Sequence, residues 1–367
     1  MAFQPSDLLD PPPYPVERYA PLADRARSLF ATANDVVFVQ AEAILALEAA
    51  ASSLGNPGIV ALNIVTSAYG TYFGTWLKRG GAEVHNLAAE TGKPITVDAV
   101  KEALDALPRI NLVAVVHAET ATGILNPLTE IAALVRERGA LFVVDAVASF
   151  GGHPLPVDQL GIDVAIVGPQ KALGGPTALS LGSVSRRAWR EIAKSQPRLS
   201  PSNLALGDIK DNWLEHGRRA PPGMPAALEF WALDAALARV EAEGLAQTIA
   251  RHERAARATR SGVRALGAPL WIEDDAQAST LMTAVLMPDT DDLGRLVSDG
   301  IGFGGALSRA PGALAGRLVR LDHTGFRTSR EAVLANLNGL GLALRRAAVP
   351  AEIEAATAAA EAIFAAS

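Results

Sequence analysis

The chain contains no cysteine among its 367 residues and only 6 histidines. Without cysteine it can form neither a disulfide framework nor a thiolate nucleophile. The histidines are scattered along the chain, and no two have the helical spacing of a metal-ligand pair. The sequence therefore predicts a protein that is stabilised by its apolar core and that has no metal site.

Clusters of positive charge are also missing. The net charge of −6 is spread along the chain, which argues against nucleic acid or an anionic membrane surface as a partner. No apolar run reaches the roughly 18 residues of a membrane span. The opening segment MAFQPSDLLDPPPYP lacks the basic and apolar regions of a signal peptide. These absences predict a cytoplasmic protein that binds neither nucleic acid nor membranes.

Short apolar runs alternate with amphipathic stretches over most of the chain. The runs lie at 35–40, 58–64, 82–87, 111–118, 140–146, 163–168 and 178–185. This alternation predicts an α/β fold with a mostly parallel sheet that helices cover on both faces. We divide the chain into an N-terminal segment (1–30), a large domain (31–240), a small C-terminal α/β domain (241–346) and a C-terminal helix (347–367).

Two chemically reactive side chains follow predicted strands. Asp145 ends the apolar run in FVVDAVASFGG, and Lys171 follows another run in DVAIVGPQKALGGP. Both are expected at the carboxyl edge of the sheet, where α/β proteins bind ligands. Two simple interpretations are that Lys171 is an exposed loop residue and that Asp145 and Lys171 form an ion pair. The third is a pyridine ring between them, with Asp145 at the ring nitrogen and Lys171 as its Schiff-base amine.

Further strand ends carry side chains that suit a ring. Thr120 and Thr122 follow a strand in VVHAETATG, and a hydroxyl there can bond a ring oxygen. Tyr69 follows another strand in NIVTSAYGTYFGTW, where an aromatic face can stack on a pyridine. Each feature has a plain alternative, since threonine often caps helices and tyrosine often fills cores. Their occurrence at successive strand ends favours a ring site.

These segments, together with SVSRRAW, resemble the class V branch of the fold-type I pyridoxal-phosphate aminotransferases, in particular the alanine–glyoxylate and serine–pyruvate group. The resemblance implies a seven-stranded mostly parallel sheet between helices, a smaller second domain, and a homodimer or homotetramer. It implies Lys171 as the Schiff-base lysine and proton carrier, Asp145 as partner of the ring nitrogen, Thr120 as a ring-oxygen contact and Tyr69 as the stacking ring. The segment RLVRLDHTG carries over Arg320 as the clamp for the substrate carboxylate.

The sequence departs from that family where the cofactor phosphate usually binds. VQAEAILALEAA places Glu42 in the first helical turn instead of a Ser/Gly/Thr-rich turn, and a carboxylate there would repel a phosphate. Met224 stands where the family supplies a threonine from the neighbouring subunit. One branch with the same glutamate, pyridoxamine–pyruvate aminotransferase, uses the unphosphorylated vitamer as a substrate. That resemblance implies that Glu42 fills the phosphate site and bonds the ring's hydroxymethyl group.

Four other residues bear on this choice. Arg309 in GGALSRAPG matches a second carboxylate-binding arginine of that branch if two residues are inserted. Gln170 can still contact a phosphate, and Arg218 and Arg219 can reach one from a neighbouring subunit.

The resemblance favours transfer of an amino group between pyridoxamine and pyruvate, with pyridoxal and L-alanine as products. The alternatives are a conventional pyridoxal 5'-phosphate aminotransferase that uses alanine or serine with glyoxylate or pyruvate, and a lyase. A binding module without turnover is disfavoured because it needs neither Lys171 nor Asp145.

Overall fold

The computed structural model describes residues 9–194, 202–287 and 293–366. The first two thirds of the chain form a seven-stranded sheet with the strand order β1-β7-β6-β5-β4-β2-β3. Its strands are β1 (Asp35–Val39), β2 (Val60–Val65), β3 (Glu83–Ala88), β4 (Leu112–Val116), β5 (Leu141–Asp145), β6 (Val164–Val167) and β7 (Ser180–Val184). Six strands point in one direction and β7 alone points in the opposite direction, so the predicted mostly parallel α/β sheet is confirmed.

The sheet is built from strands whose burial follows their position. The central strands β4, β5 and β6 are buried at every residue, as expected when helices cover both faces. β3 is an edge strand, and each of its residues is either exposed or half-buried. The sequence analysis expected both faces of every strand to be buried. That expectation was wrong for β3, because an edge strand has a neighbour on one side only.

Nine helices of the described residues belong to this part of the chain. They are α1 (Tyr19–Leu29), α2 (Ala43–Leu54), α3 (Ala68–Arg79), α4 (Val97–Ala106), α5 (Leu128–Arg138), α6 (Val157–Leu160), α7 (Arg186–Ile192), α8 (Leu206–Ile209) and α9 (Ala227–Glu243). The helices α2, α3 and α4 each begin with an N-cap side chain that accepts a hydrogen bond from a backbone amide of the first turn. Glu42 caps α2, Ser67 caps α3 and Thr96 caps α4.

A smaller α/β unit follows. Its antiparallel sheet has the order β8-β10-β9, with β8 (Met282–Leu286), β9 (Leu307–Arg309) and β10 (Leu318–Asp322). Its helices are α10 (Leu245–Ala265), α11 (Leu293–Gly302), α12 (Arg330–Arg346) and α13 (Ile353–Ala365). The predicted two-part architecture, a large sheet domain and a smaller C-terminal α/β domain, is confirmed.

Buried apolar side chains form two main clusters. One extends from Tyr14 to Val240 and the other from Ala255 to Ala360. The separation supports the predicted boundary near residue 240, which remains a prediction. The two terminal segments do not stand apart: Tyr14 and Leu22 belong to the first cluster, and α13 contributes Ile353 and Ala360 to the second. None of the described helices combines the length and the hydropathy required to cross a lipid bilayer.

Candidate active site

A cavity of about 280 Å³ lies at the carboxyl edge of the large sheet. Five of the eight predicted site residues line it: Glu42, Tyr69, Thr120, Asp145 and Lys171. The remaining wall is mostly apolar and consists of Ile44, Leu47, Tyr72, Val116, Ala118, Val147 and Ala148. Residues from five separate stretches of the chain meet here because parallel strands end at one edge of the sheet.

Asp145 is the last residue of β5, and only 9% of its surface is exposed. One of its carboxylate oxygens, Oδ1, accepts a 3.0 Å hydrogen bond from the Val147 amide. Burial raises the pKa of Asp145 to about 7, and the nearby Glu119 and Glu42 add to this. The Val147 amide and Lys171 oppose the shift. A buried acid with so little compensation is suited to a cationic ligand, which would restore its charged form.

Lys171 is half-buried in the tight turn that follows β6. The backbone amide of Lys171 donates to the Gly168 carbonyl at 3.3 Å, and the Gly174 amide donates back to the Lys171 carbonyl at 3.0 Å. Among the ion pairs between described residues, none joins Lys171 to Asp145. Both side chains line the same cavity instead. This placement leaves room for a ligand between them.

Tyr69 forms the wall of the cavity at the start of α3, where the Ser67 hydroxyl accepts a 3.1 Å hydrogen bond from its amide. Burial raises the pKa of Tyr69, and the carboxylates of Asp145, Glu119 and Glu42 raise it further. The phenol therefore stays neutral. Tyr72 meets Tyr69 edge-on, with ring centroids 6.5 Å apart, and extends the aromatic wall toward solvent.

The two threonines that the sequence analysis weighed have different positions. Thr120 lines the cavity, and its carbonyl oxygen accepts a hydrogen bond from the small domain. Thr122 is buried, and its hydroxyl has no hydrogen-bond partner in the described part of the chain. The structure thus brings only Thr120 to the site.

Glu42 is the N-cap of α2, one position before the first helical turn in which the sequence analysis placed it. Its Oε2 accepts a 2.8 Å hydrogen bond from the Ile44 amide, and its Oε1 accepts a 2.9 Å hydrogen bond from the Gln170 amide nitrogen. The carboxylate therefore sits at the positive end of the helix, which is where a helix binds an anion. Gln170 contacts Glu42 and is absent from the cavity wall.

Arg320 reaches the site from β10 in the small domain. Its Nε donates to the Ser308 hydroxyl at 3.1 Å, and its Nη1 donates to the Thr120 carbonyl at 2.9 Å. Burial lowers the pKa of Arg320, but a guanidinium stays charged at any physiological pH. The remaining N–H groups are available to bind a carboxylate.

Arg309 is not brought to Arg320. In the register between β9 and β10, Ser308 lies opposite Arg320 and Arg309 lies opposite Val319. Directly opposed residues of an antiparallel pair project from the same face, and neighbours along a strand project from opposite faces. Arg309 therefore points away from the face that carries Arg320, and it is exposed. Its predicted role in binding the same carboxylate has no support in this geometry.

Sequence reasoning missed Glu119. It directly precedes Thr120, is fully buried, and affects the pKa values of Tyr69 and Asp145. The signal was present, since Glu119 follows β4 in VVHAETATG just as Asp145 ends β5.

Arg218 and Arg219 do not line the cavity of their own chain, and their predicted reach into the site of a neighbouring subunit stays a prediction. Arg218 donates to the Ala20 carbonyl at 2.7 Å and forms a 2.9 Å ion pair with Asp24 of its own chain. Arg219 is exposed. Met224 is 93% exposed in a loop that Gln40 holds through two hydrogen bonds of 3.0 Å. In the described residues, no group of three His, Cys, Asp or Glu side chains could hold a metal ion.

Comparisons with known proteins agree with this geometry. The family model "Aminotransferase class-V" matches residues 22–302. Pyridoxamine–pyruvate transaminase of Mesorhizobium japonicum is 35% identical over 93% of this chain and 87% of its own length. The crystal structure of pyridoxamine-pyruvate aminotransferase from Mesorhizobium loti superposes with a TM-score of 0.89 at 35% identity, covering 95% of this chain and 88% of that one.

A second solved structure has an equal structural score. Ureidoglycine-glyoxylate aminotransferase from Bacillus subtilis superposes with a TM-score of 0.89 at 27% identity, over 98% of this chain and 94% of that one. Similarity thus extends to relatives named for a different amino donor. The family match, the two superpositions and the strand-edge cavity lead to one conclusion: the chain belongs to the class-V aminotransferase family.

Proposed function

We propose that this aminotransferase moves an amino group from free pyridoxamine to pyruvate and so forms pyridoxal and L-alanine. Class-V membership implies vitamin B6 chemistry, and the proposal concerns which form of the vitamin the site accepts. The observation that carries it is the Glu42 carboxylate, which caps α2 and is held there by Gln170. The relatives named for pyridoxamine and pyruvate support the same substrates.

The residues of the cavity fit a vitamin B6 ring. Asp145 is a buried acid that joins no ion pair among the described residues, Tyr69 offers a flat wall, and Lys171 offers an amine. The volume of about 280 Å³ lies just below the usual range for small-molecule sites, roughly 300–1,000 Å³, as suits a ligand with a single small ring. When bound, the ring supplies an electron sink for the charge that develops at the carbon bearing the amino group.

The far end of the cavity is unsuited to a phosphate. A phosphate carries about −1.5 to −2 charges at pH 7, and it would face the Glu42 carboxylate. Two unit charges of like sign at about 4 Å repel by roughly 4 kcal/mol near a protein surface. The Ile44 amide and the Gln170 amide, which could bind an anion, already donate to Glu42. An uncharged hydroxymethyl group can instead donate to the same carboxylate.

The chain's own groups account for the remaining steps. Asp145 pairs with the protonated ring nitrogen and keeps it charged. Lys171, on the turn after β6, takes the proton from the carbon of the amino donor and returns it to the carbon of the acceptor. Arg320 binds the carboxylate of pyruvate through its free N–H groups while Ser308 and Thr120 hold its head in place. Tyr69 holds the ring plane, and Thr120 contacts the ring oxygen.

We further propose that the protein acts as a homodimer or a homotetramer. Leu45 and Leu204 line one surface pocket, and Leu204 and Met224 line the next. All three side chains are at least 38% exposed, and exposed apolar side chains of this size often mark protein contact surfaces. Light scattering of the purified protein tests this, and Met224→Glu is expected to shift the assembly toward the monomer.

The decisive experiment compares free pyridoxamine with pyridoxamine 5'-phosphate as amino donors for pyruvate, with L-alanine measured as the product. We expect turnover with the free vitamer and a weaker preference for it in Glu42→Ser. Glu48→Ser, which removes the same charge from the outer side of α2, is the control and should keep the wild-type preference. A wild-type protein that retains phosphorylated cofactor on purification and ignores free pyridoxamine would be a conventional aminotransferase. Cleavage of an amino acid, without transfer of its amino group to pyruvate, would indicate a lyase.

A further inference from the structure

Glu119 is a buried acid to which the proposed reaction assigns no role. Its surface is 0% exposed. The Thr66 hydroxyl donates to its Oε1 at 2.7 Å, whereas its Oε2 is buried and has no hydrogen-bond partner in the described part of the chain. Buried polar atoms without partners are rare because they lose the hydrogen bonds of water. A carboxyl retained in this state beside an active site requires a physical reason.

The position of Glu119 joins two turns of the site. Thr66 follows β2, and its neighbour Ser67 caps the helix on which Tyr69 stands. Glu119 opens the next turn, which is closed by a 2.8 Å hydrogen bond from the Gly123 amide to the Glu119 carbonyl. The hydrogen bond between Thr66 and Glu119 therefore ties the turn that places Tyr69 to the turn that carries Thr120.

The direction of that hydrogen bond is fixed by a third residue. The Asn126 amide nitrogen donates to the Thr66 hydroxyl at 2.9 Å and to the Val116 carbonyl at 2.8 Å. Because Thr66 accepts from Asn126, its own proton is free to point at Glu119. The link also reaches the small domain, because Arg320 donates to the carbonyl of Thr120, the residue next to Glu119.

Glu119 has no ion-pair partner among the described lysine, arginine and histidine side chains. Burial raises the pKa of Glu119, and the bonded Thr66 hydroxyl together with the nearby Ser67 hydroxyl, which does not meet hydrogen-bond geometry, lowers it only in part. An unpaired charge in such a place is costly, so the carboxyl protonates instead. The charged and titratable groups of the surrounding site are Glu42, Tyr69, Asp145, Lys171 and Arg320. Negative charge on Glu119 would raise the pKa values of Tyr69 and Asp145, and protonation of Glu119 removes that charge from the site.

We propose that Glu119 is a positioning residue for transamination, which acts as an uncharged carboxylic acid and holds the Tyr69 turn and the Arg320 anchor in register. It contacts neither the ring nor pyruvate in this role. The inference concerns any transamination at this site, so it does not depend on which vitamer is preferred. The inference depends on the buried contacts of the Glu119 carboxyl group. A substitution of Glu119 by glutamine alters those contacts and keeps the size of the side chain.

The test compares Glu119→Gln with Glu119→Leu in the full-length protein. Both are assayed with pyruvate and with free and phosphorylated pyridoxamine, so that a wrong donor assignment is seen in the wild type first. We expect Glu119→Gln to retain kcat/KM within about threefold and Glu119→Leu to lose about tenfold or more, since small displacements of positioning groups cost up to about a hundredfold. KM for pyruvate should rise because Arg320 loses its support.

A pH profile separates positioning from mere stability. With a neutral Glu119, Glu119→Gln leaves the acid limb of kcat/KM where it is in the wild type. If Glu119 were ionised, its removal would lower the pKa of Asp145 and move that limb to lower pH, which overturns the proposal. Thr66→Val should reproduce the loss seen in Glu119→Leu, and the control Thr122→Val should be silent. Wild-type kcat/KM in Glu119→Leu would also overturn the proposal.

Discussion

The two ends of the cavity differ in how their carboxylates are satisfied. At the ring end, formed by Asp145, Tyr69, Thr120 and Lys171, the buried carboxyl has one hydrogen bond from an amide and a pKa raised to about 7. At the cap end, formed by Glu42, Gln170 and the amide of Ile44, the carboxylate has a hydrogen bond on each oxygen. An acid that lacks compensation marks the place for a cationic ligand, and a fully bonded one marks a place from which an anion is excluded.

The ring end takes part in transamination with any amino donor, whereas the cap end selects between donors. Changes at the ring end should therefore abolish the reaction with all donors. Changes at the cap end should alter the choice between donors and leave the chemistry intact. The following variants test that division.

Lys171→Ala should have the largest effect. Removing the proton carrier is expected to lower kcat by at least about a thousandfold with either vitamer, because general acid–base groups contribute up to about 10⁴. L-Alanine formation measures turnover, and equilibrium dialysis with pyridoxamine checks that the cavity still binds its ligand. Turnover within tenfold of the wild type would place the proton carrier elsewhere.

Asp145→Asn should come next, with a loss on the order of a hundredfold from the missing charge at the ring nitrogen. The pH dependence of binding gives a second measurement. Since burial raises the pKa of Asp145 to about 7, a cationic ring must displace the proton of Asp145 below pH 7. Pyridoxamine affinity in the wild type should therefore weaken as the pH falls from 8 to 6, relative to Asp145→Asn. Parallel titration curves for the two proteins would contradict this.

The same shift has a consequence for stability. The folded-state pKa of Asp145 lies above that of the unfolded chain, so the folded state holds the proton more strongly. The stabilisation is fully present below about pH 4 and is lost as the pH rises toward about 7. Denaturant titrations of the ligand-free protein should show that Asp145→Asn removes this part of the pH dependence.

Arg320→Lys should have a smaller effect, confined to the keto acid. The planar guanidinium of Arg320 can donate to Ser308, to Thr120 and to a carboxylate at the same time, and a lysine cannot. KM for pyruvate should rise about tenfold or more while kcat changes little. Arg309→Ala is the matched control, and the register predicts little change. An equal rise of KM for pyruvate in both variants would indicate that Arg309 and Arg320 bind the carboxylate together.

Gln170→Leu and Gly168→Ala should have the smallest effect and should act at the cap end alone. Gln170 holds Glu42, and a Cβ atom at Gly168 would collide with the Gln170 side chain. Either change loosens Glu42, so the preference for free over phosphorylated pyridoxamine should fall by roughly threefold to tenfold, a neutral hydrogen bond contributing about 1 kcal/mol. An unchanged preference in both would show that Glu42 needs no support.

Much of the fold was predictable because buried parallel strands leave a plain pattern. Continuous apolar runs such as the one before Asp145 predicted the central strands, and side chains just after such runs were expected at one edge. The edge strand β3 was less predictable, since local composition does not reveal the number of neighbours. Arg309 shows the same limit, because a strand's register sets which face a side chain joins.

The sequence by itself determined the α/β architecture, the strand-edge positions of Asp145 and Lys171, and the acid at the start of α2. Only the tertiary structure decided that Gln170 bonds Glu42, that Glu119 is buried against Thr66, and that Arg320, and not Arg309, bonds the cavity residue Thr120. The physical reason is range. Periodicity and caps arise from residues a few positions apart, whereas these contacts join residues that are distant in sequence and meet only when the sheets and domains have packed.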